Sequence, residues 1–224
     1  MQEECKMLYA VVAMQREADT LLSIAKISRE RTLYGKRVWE GSALGHDFGL
    51  VLCGVGKTNA AAGAMLALTL GADRLLNFGV AGGIVPDAKV GTVWQIDRAV
   101  QYDFDLHAIN GTPVGTLDEY QTPYLPLRSR KNAFPKATLA TGDRFTDGSA
   151  EAPLYTALGA HLREMEGAAI AHIADAAGVP CYAFKAVSDC IGEESVREYR
   201  EKLQEALAAL QGAMPAIFEE VFYG

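Results

Sequence analysis

The chain has 224 residues, half of them hydrophobic and 22% charged, with a formal net charge of −7. That is enough chain for one sizeable buried core and the wrong balance for a disordered protein. The acidic excess, with no Lys/Arg cluster interleaved with aromatics, argues against nucleic acid or an anionic membrane surface as the main partner.

The N-terminus, Met1-Gln-Glu-Glu-Cys-Lys-Met7, is acidic where a secretory signal needs positive charge. The longest apolar stretch, Ala60 to Leu70, is too short to span a bilayer. Cys5, Cys53, Cys181 and Cys190 show no C-x-x-C spacing and lie in or beside apolar segments. They are expected as reduced thiols of a cytoplasmic protein. The histidines are scattered, so no metal site is expected.

Met7 to Met14 reads as a buried strand and Glu17 to Ala25 as the helix that follows. Thr32 to Leu44 and Asp47 to Leu52 alternate apolar and polar residues about Gly45-His46-Asp47, which predicts a hairpin. Gly54-Val-Gly-Lys-Thr58 suggests a phosphate loop, but the required first glycine is replaced by Val51. A tight strand-to-helix turn is the better reading, leading into a helix from Lys57 to Leu70 that Gly71 ends. Arg74 to Phe78 is a buried strand running into Gly79-Val-Ala-Gly-Gly83. Those glycines mean either a loop of positive φ or backbone packed against a ligand, with Asn77 fixing the loop.

Gly91 to Val100 is a further strand, and Tyr102 to Tyr124 a polar and aromatic loop. Ala137 to Gly142 is a strand and Glu151 to Leu158 a short helix. In Thr141 to Ser149, Phe145 is either a ring that stacks on a planar base or an ordinary core ring. Glu164 to Ala177 reads as a helix. Its period places Glu166 with Ile170 and Ile173 on the apolar face, and Glu164 with Ala168, His172 and Asp175 on a face that reaches water. A carboxylate aimed at the core costs about 1–3 kcal/mol or more unless something hydrogen-bonds it. The strand Pro180 to Val187 then delivers Asp189 at its carboxyl end, where open α/β sheets bind ligands. A long helix, Glu194 to Phe222, is expected to break near Pro215. With no linker or repeat, residues 1–224 form one domain. Alternation of strands and helices predicts an α/β fold, a mixed sheet with helices on both faces.

Five motifs recur in order: Ala13-Met-Gln-Arg-Glu17, Gly54-Val-Gly-Lys57, Asn77-Phe-Gly-Val-Ala-Gly-Gly83, Thr141-Gly-Asp-Arg-Phe145 with Gly148-Ser149, and Glu164-Met-Glu166 with Ala186-Val-Ser-Asp189. With their spacing across nearly the whole chain, the sequence resembles the purine nucleoside phosphorylase superfamily. Within it, the chain is most similar to the 5′-methylthioadenosine/S-adenosylhomocysteine nucleosidases. The resemblance implies a three-layer αβα domain and a cofactor-free homodimer that hydrolyses the N-glycosidic bond of 5′-substituted adenosines. It implies Asp189 as the acid that protonates adenine N7, and Glu17 as the carboxylate that positions and deprotonates water. Glu166 would hold the ribose hydroxyls, Met165 pack under the sugar, and Phe145 stack on the base with a backbone contact from Thr146. Val80, Ala81, Gly82 and Ser188 fall in the matched motifs as further substrate contacts. Leu106 and Ile109 resemble the segment that reaches into the neighbouring subunit's site.

The chain departs from that pattern at Val80, where the family has a serine or threonine, and at Lys185, where it has arginine, an exchange that loses bidentate geometry. A phosphorylase would need a Gly-Asp-Pro opening and an arginine clamp, and Arg16 is the one cation expected beside the sugar. The alternatives are a purine nucleosidase with another 5′-group, such as a futalosine-type substrate, a phosphorylase, or a silent nucleoside-binding protein.

Overall fold

The computed structural model describes residues 7–130, 132–192 and 195–223; Cys5 and the expected helix start at Glu194 lie outside them. One mixed sheet runs through the described residues. Strands β1 (Met7–Val12), β4 (His46–Leu52), β5 (Ala72–Gly83) and β10 (Cys181–Cys190) run parallel and adjacent in the order β4-β1-β5-β10. They read as continuous apolar runs because both of their faces are covered. In β1, Tyr9 and Val11 enter one core while Leu8, Ala10 and Val12 enter the other. The first core is closed by α2 (Lys57–Thr69) and α5 (Gly167–Ala176), the second by α1 (Gln15–Leu22) and α6 (Ser195–Tyr223). The expected three layers are therefore present, with helices on both faces of a mixed sheet.

Beyond β4 the sheet continues antiparallel through β3 (Lys36–Ala43) and β2 (Lys26–Leu33). The expected single hairpin is thus two, because Tyr34-Gly35 makes a second tight turn with φ of 50° and 76°. On the other side, β6 (Val93–Gln101), β8 (Lys136–Thr141) and β9 (Leu162–Glu164) follow β10. The short β7 (Leu125–Pro126) pairs with β6. The strand β9 pairs with Gly82 and Gly83 at the end of β5, so that part of the sheet closes into a ring. No local pattern announces such closure.

Three expectations are corrected here. The glycine run Gly79–Gly83 is the last part of strand β5, without positive φ, and not a loop. Asn77 accordingly braces strands, its side-chain amide donating to the Val11 carbonyl at 3.0 Å. Glu164 closes β9 instead of opening a helix, and α5 starts at Gly167 with Glu166 as its cap. The ladder partners Thr141↔Glu164 and Gly82↔Arg163 hold this stretch extended. Lastly, α6 runs unbroken through Pro215. Its apolar face, Leu207, Leu210, Met214, Ile217, Phe218 and Val221, keeps period across the proline, so packing outweighs the one missing backbone bond. Between β6 and β7 the expected loop carries one turn of helix, α3 (His107–Asn110). No described helix is long and apolar enough to cross a membrane.

Candidate active site

The parallel strands β1, β4, β5 and β10 bring their carboxyl ends to a common rim, where ligands sit in α/β sheets. A cavity of about 480 Å³ opens there. It collects Glu17, Val80, Ala81, Gly82, Phe145, Met165, Glu166, Ser188 and Asp189. Glu17 reaches it from the first turn of α1, and the others from strand ends or the segments that follow them.

Glu17 is fixed from two sides: the Met14 amide donates to Oε2 at 3.0 Å and the Val80 amide to Oε1 at 2.8 Å. Its carboxylate lies flat on Gly79, where any Cβ would overlap Oε1. This close approach is what the glycine run provides. Burial raises the Glu17 pKa; Lys185 and the two amides oppose it, and Glu164 reinforces it. Glu166 accepts a hydrogen bond from the Gly56 amide at 2.7 Å. Burial first, then repulsion from Glu164, pushes its carboxyl up to about 8.

Glu164 does not reach water. Its Oε2 accepts from Lys185 Nζ at 2.9 Å and from the Glu166 and Gly167 amides, while Thr141 Oγ1 donates to Oε1 at 2.5 Å. Lys185 is buried, and although burial alone lowers its pKa, Glu164, Glu166 and Glu17 together raise it. Lys185 is thus one compact cation among three carboxyl groups.

Asp189 is 2% exposed. Ser188 Oγ donates to its Oδ1 at 2.8 Å and Arg163 Nη2 to its Oδ2 at 2.9 Å. Burial raises its pKa, against the lowering by Arg163 and Ser188. Phe145 is half exposed at the mouth, edge-on to Tyr199 with centroids 5.2 Å apart. Its ring is a wall of the cavity and not a core ring.

Four residues expected at or near the site, Thr146, Leu106, Ile109 and Arg16, do not line this chain's cavity. The Thr146 carbonyl is occupied by Arg163 Nη1 at 2.8 Å and its hydroxyl by Glu151, so Thr146 stands behind the cavity wall. Leu106 and Ile109 lie outside the cavity, Ile109 with 82% of its surface exposed. Arg16 is exposed and does not line the cavity; the cations that do are Arg144, Arg163 and Arg200. Arg163 and the α6 residues Val196, Tyr199 and Arg200 escaped the sequence reading. Arg163 stood just before a segment read as helix, where no strand was expected, and α6 meets the site only through the chain reversal after β10. The amides at the start of α2 are taken by carboxylates, Gly56 by Glu166 and Lys57 by Asp143 at 2.8 Å. That confirms a turn and leaves no phosphate cradle.

Sequence comparison places this geometry among known proteins. The profile of the Phosphorylase superfamily matches residues 8–219. An aminodeoxyfutalosine nucleosidase of Campylobacter jejuni is 30% identical over 82% of this chain and 83% of its own length. A 5′-methylthioadenosine/S-adenosylhomocysteine nucleosidase of Marinomonas is 30% identical over 87% of this chain and 90% of its own. The S-adenosylhomocysteine nucleosidase of Streptococcus pyogenes, solved with 5-methylthiotubericidin, superposes with a TM-score of 0.87 at 27% identity, covering 97% of this chain and 98% of that one. The futalosine hydrolase of Helicobacter pylori shares the fold, with a TM-score of 0.88 at 22% identity over 96% of this chain and 98% of that one. With its motifs set around one cavity and the profile spanning almost its full length, the chain belongs to the Phosphorylase superfamily.

Proposed function

We propose that the protein is an N-glycosyl hydrolase that cleaves 5′-substituted adenosines, such as 5′-methylthioadenosine or S-adenosylhomocysteine, to adenine and the free 5-substituted ribose. One observation carries the choice of water over phosphate: three carboxylates, Glu17, Glu164 and Glu166, share one buried lysine beside the sugar subsite. The buried cation among them, Lys185, is already engaged by Glu164, so it is not free to receive a phosphate with nearly two negative charges, whereas neutral water needs only a base.

In this reading the C1′–N9 bond breaks as positive charge grows on the ribose ring and negative charge on the purine. Asp189, whose buried carboxyl favours the protonated form, gives its proton to N7 and relieves the leaving base. Glu17, held by two amides on its ionised oxygens, orients a water and takes its proton as the oxygen bonds to C1′. Glu166 accepts from the ribose hydroxyls, with Met165 beneath the sugar and Phe145 against the base. Val80, Ala81, Gly82 and Ser188 complete the wall.

A homodimer also belongs to this reading. Helix α2 carries no charge from Thr58 to Thr69, and its outer stripe of Thr58, Ala62, Met65 and Thr69 is exposed. An uncharged exposed stripe, near the equally exposed Val55 at the cavity mouth, suits a second copy of the chain. Leu106 and Ile109 would then wall the 5′-group in the partner's site. The described cysteines Cys53, Cys181 and Cys190 are all unpaired, which supports a reducing cytoplasmic setting.

The 30% identity to an aminodeoxyfutalosine nucleosidase keeps a bulkier 5′-group in view. Incubation with 5′-methylthioadenosine, S-adenosylhomocysteine and aminodeoxyfutalosine, followed by chromatography for free adenine, tests the reading. Adenine from at least one of them is expected. Adenine from none contradicts the proposal.

A further inference from the structure

The catalytic reading uses Asp189 but leaves unexplained the cation bound to it. Arg163 is 7% exposed and lines the cavity. Its Nη2 donates to Asp189 Oδ2 at 2.9 Å and its Nη1 to the Thr146 carbonyl at 2.8 Å. Among the described residues its Nε has no hydrogen-bond partner, so these two acceptors hold the buried guanidinium. One planar guanidinium therefore ties the end of β10 to the loop that carries Phe145. The space is made for it by glycine: a Cβ at Gly82 or at Gly148 would stand 3.0 Å from Nε. At Gly148 φ is +78°, a second reason for glycine there.

The geometry points to Arg163 as the positioning residue of the base subsite, locking the Asp189 carboxyl and the Phe145 loop into one unit. This rests on the function proposed above and adds to it the group that controls its acid. Among the described residues, the charged and titratable groups facing Asp189 include Tyr199 of α6, whose hydroxyl pKa is held up by burial and by Asp189 itself. Arg163 comes from β9, Glu198 from the start of α6, and Cys190 from β10 itself, while Ser188 donates as a neutral hydroxyl. Glu198 favours protonation and its Oε2 is engaged by the Cys190 amide, so Arg163 is the one positive charge on Asp189 among these. A guanidinium bridging two acceptors fixes direction as well as charge, which an ammonium cannot do.

Two substitutions separate the two roles. Arg163→Met removes charge and bridge; Arg163→Lys keeps the charge but loses the bridge. The readouts are kcat and KM across pH with the best substrate of the panel, and calorimetric binding of adenine across pH, which needs no turnover. For Arg163→Met, the alkaline limb of kcat/KM and of adenine affinity should move up by about one pH unit or more, the range an arginine imposes on a neighbouring carboxylate. Its kcat/KM at neutral pH should fall about tenfold to a hundredfold from lost orientation. For Arg163→Lys, the limb should stay at the wild-type pH while KM rises. A purely structural role predicts a lower melting temperature with both pH limbs unmoved, and that result overturns the inference. Should Arg163→Met fail to fold, Arg163→Lys decides alone: unchanged KM and unchanged adenine affinity also overturn it. If the wild type cleaves no nucleoside yet binds adenine with these shifts, the hydrolase reading fails and the role of Arg163 stands.

Discussion

At the scale of single residues, the site is a set of carboxyls whose surroundings push them toward the neutral form. Glu166 titrates at about 8 in the folded chain against 4.5 normally, so the folded protein binds more protons than the unfolded one between those values. Its contribution to stability is complete below pH 4.5 and is lost as the pH rises through about 8. Denaturant titrations from pH 4 to 9 should therefore show stability falling across that window. Glu166→Gln should flatten the fall without abolishing it, since Glu17 and Asp189 are raised in the same direction. The same substitution should impair turnover, because a neutral amide cannot make charge-assisted bonds to both ribose hydroxyls. Asp189→Asn keeps the shape and removes the proton. Its kcat should drop by about 10²–10⁴-fold, in a protein that still folds but melts lower, because the buried Arg163 loses its ion partner. A variant retaining more than about a tenth of the rate lies outside that range and removes Asp189 from the acid role.

At the scale of elements, the catalytic carboxylates depend on glycines that read as something else. In Gly79→Ala the new Cβ would overlap a carboxylate already held by two amides, so Glu17 must leave its place. The expected cost is about 1–3 kcal/mol of stability, as for other overpacked sites. Activity should be lost far beyond what that instability explains, which parallel assays of melting temperature and kcat will separate. The order of the long strands was legible because each buried one is a continuous apolar run, and α2, which has no amphipathic period, was legible from its alanine-rich length and the glycine that ends it. What was not legible came from tertiary pairing. The run Gly79–Gly83 looks like a loop by composition, yet it is strand because β10 and β9 pair with it. The stretch before Gly167 looks helical, yet β8 and β5 hold it extended. The site carboxylates were legible from their places at strand ends. Their partners Arg163 and Lys185 were not assigned these bonds, since each cation sits more than twenty residues from the acid it binds.

At the scale of the whole molecule, the sheet closes on one side and leaves an uncharged helix stripe on the other. If α2 is the dimer face, Met65→Glu buries a charge at the interface and should convert the sedimenting species from dimer to monomer. The monomer should lose affinity for nucleosides with large 5′-groups more than for adenine itself, because Leu106 and Ile109 would no longer reach the partner's site. An unchanged dimer would move the interface elsewhere. The central claim is that water, activated at Glu17 and opposed by Asp189 across the sugar, is the nucleophile. Turnover of a 5′-substituted adenosine in oxygen-18 water containing unlabelled phosphate tests it most directly, with the sugar product analysed by mass spectrometry. The account predicts free 5-substituted ribose carrying one heavy oxygen at C1, at a rate that phosphate does not raise. A sugar 1-phosphate without the label would contradict it.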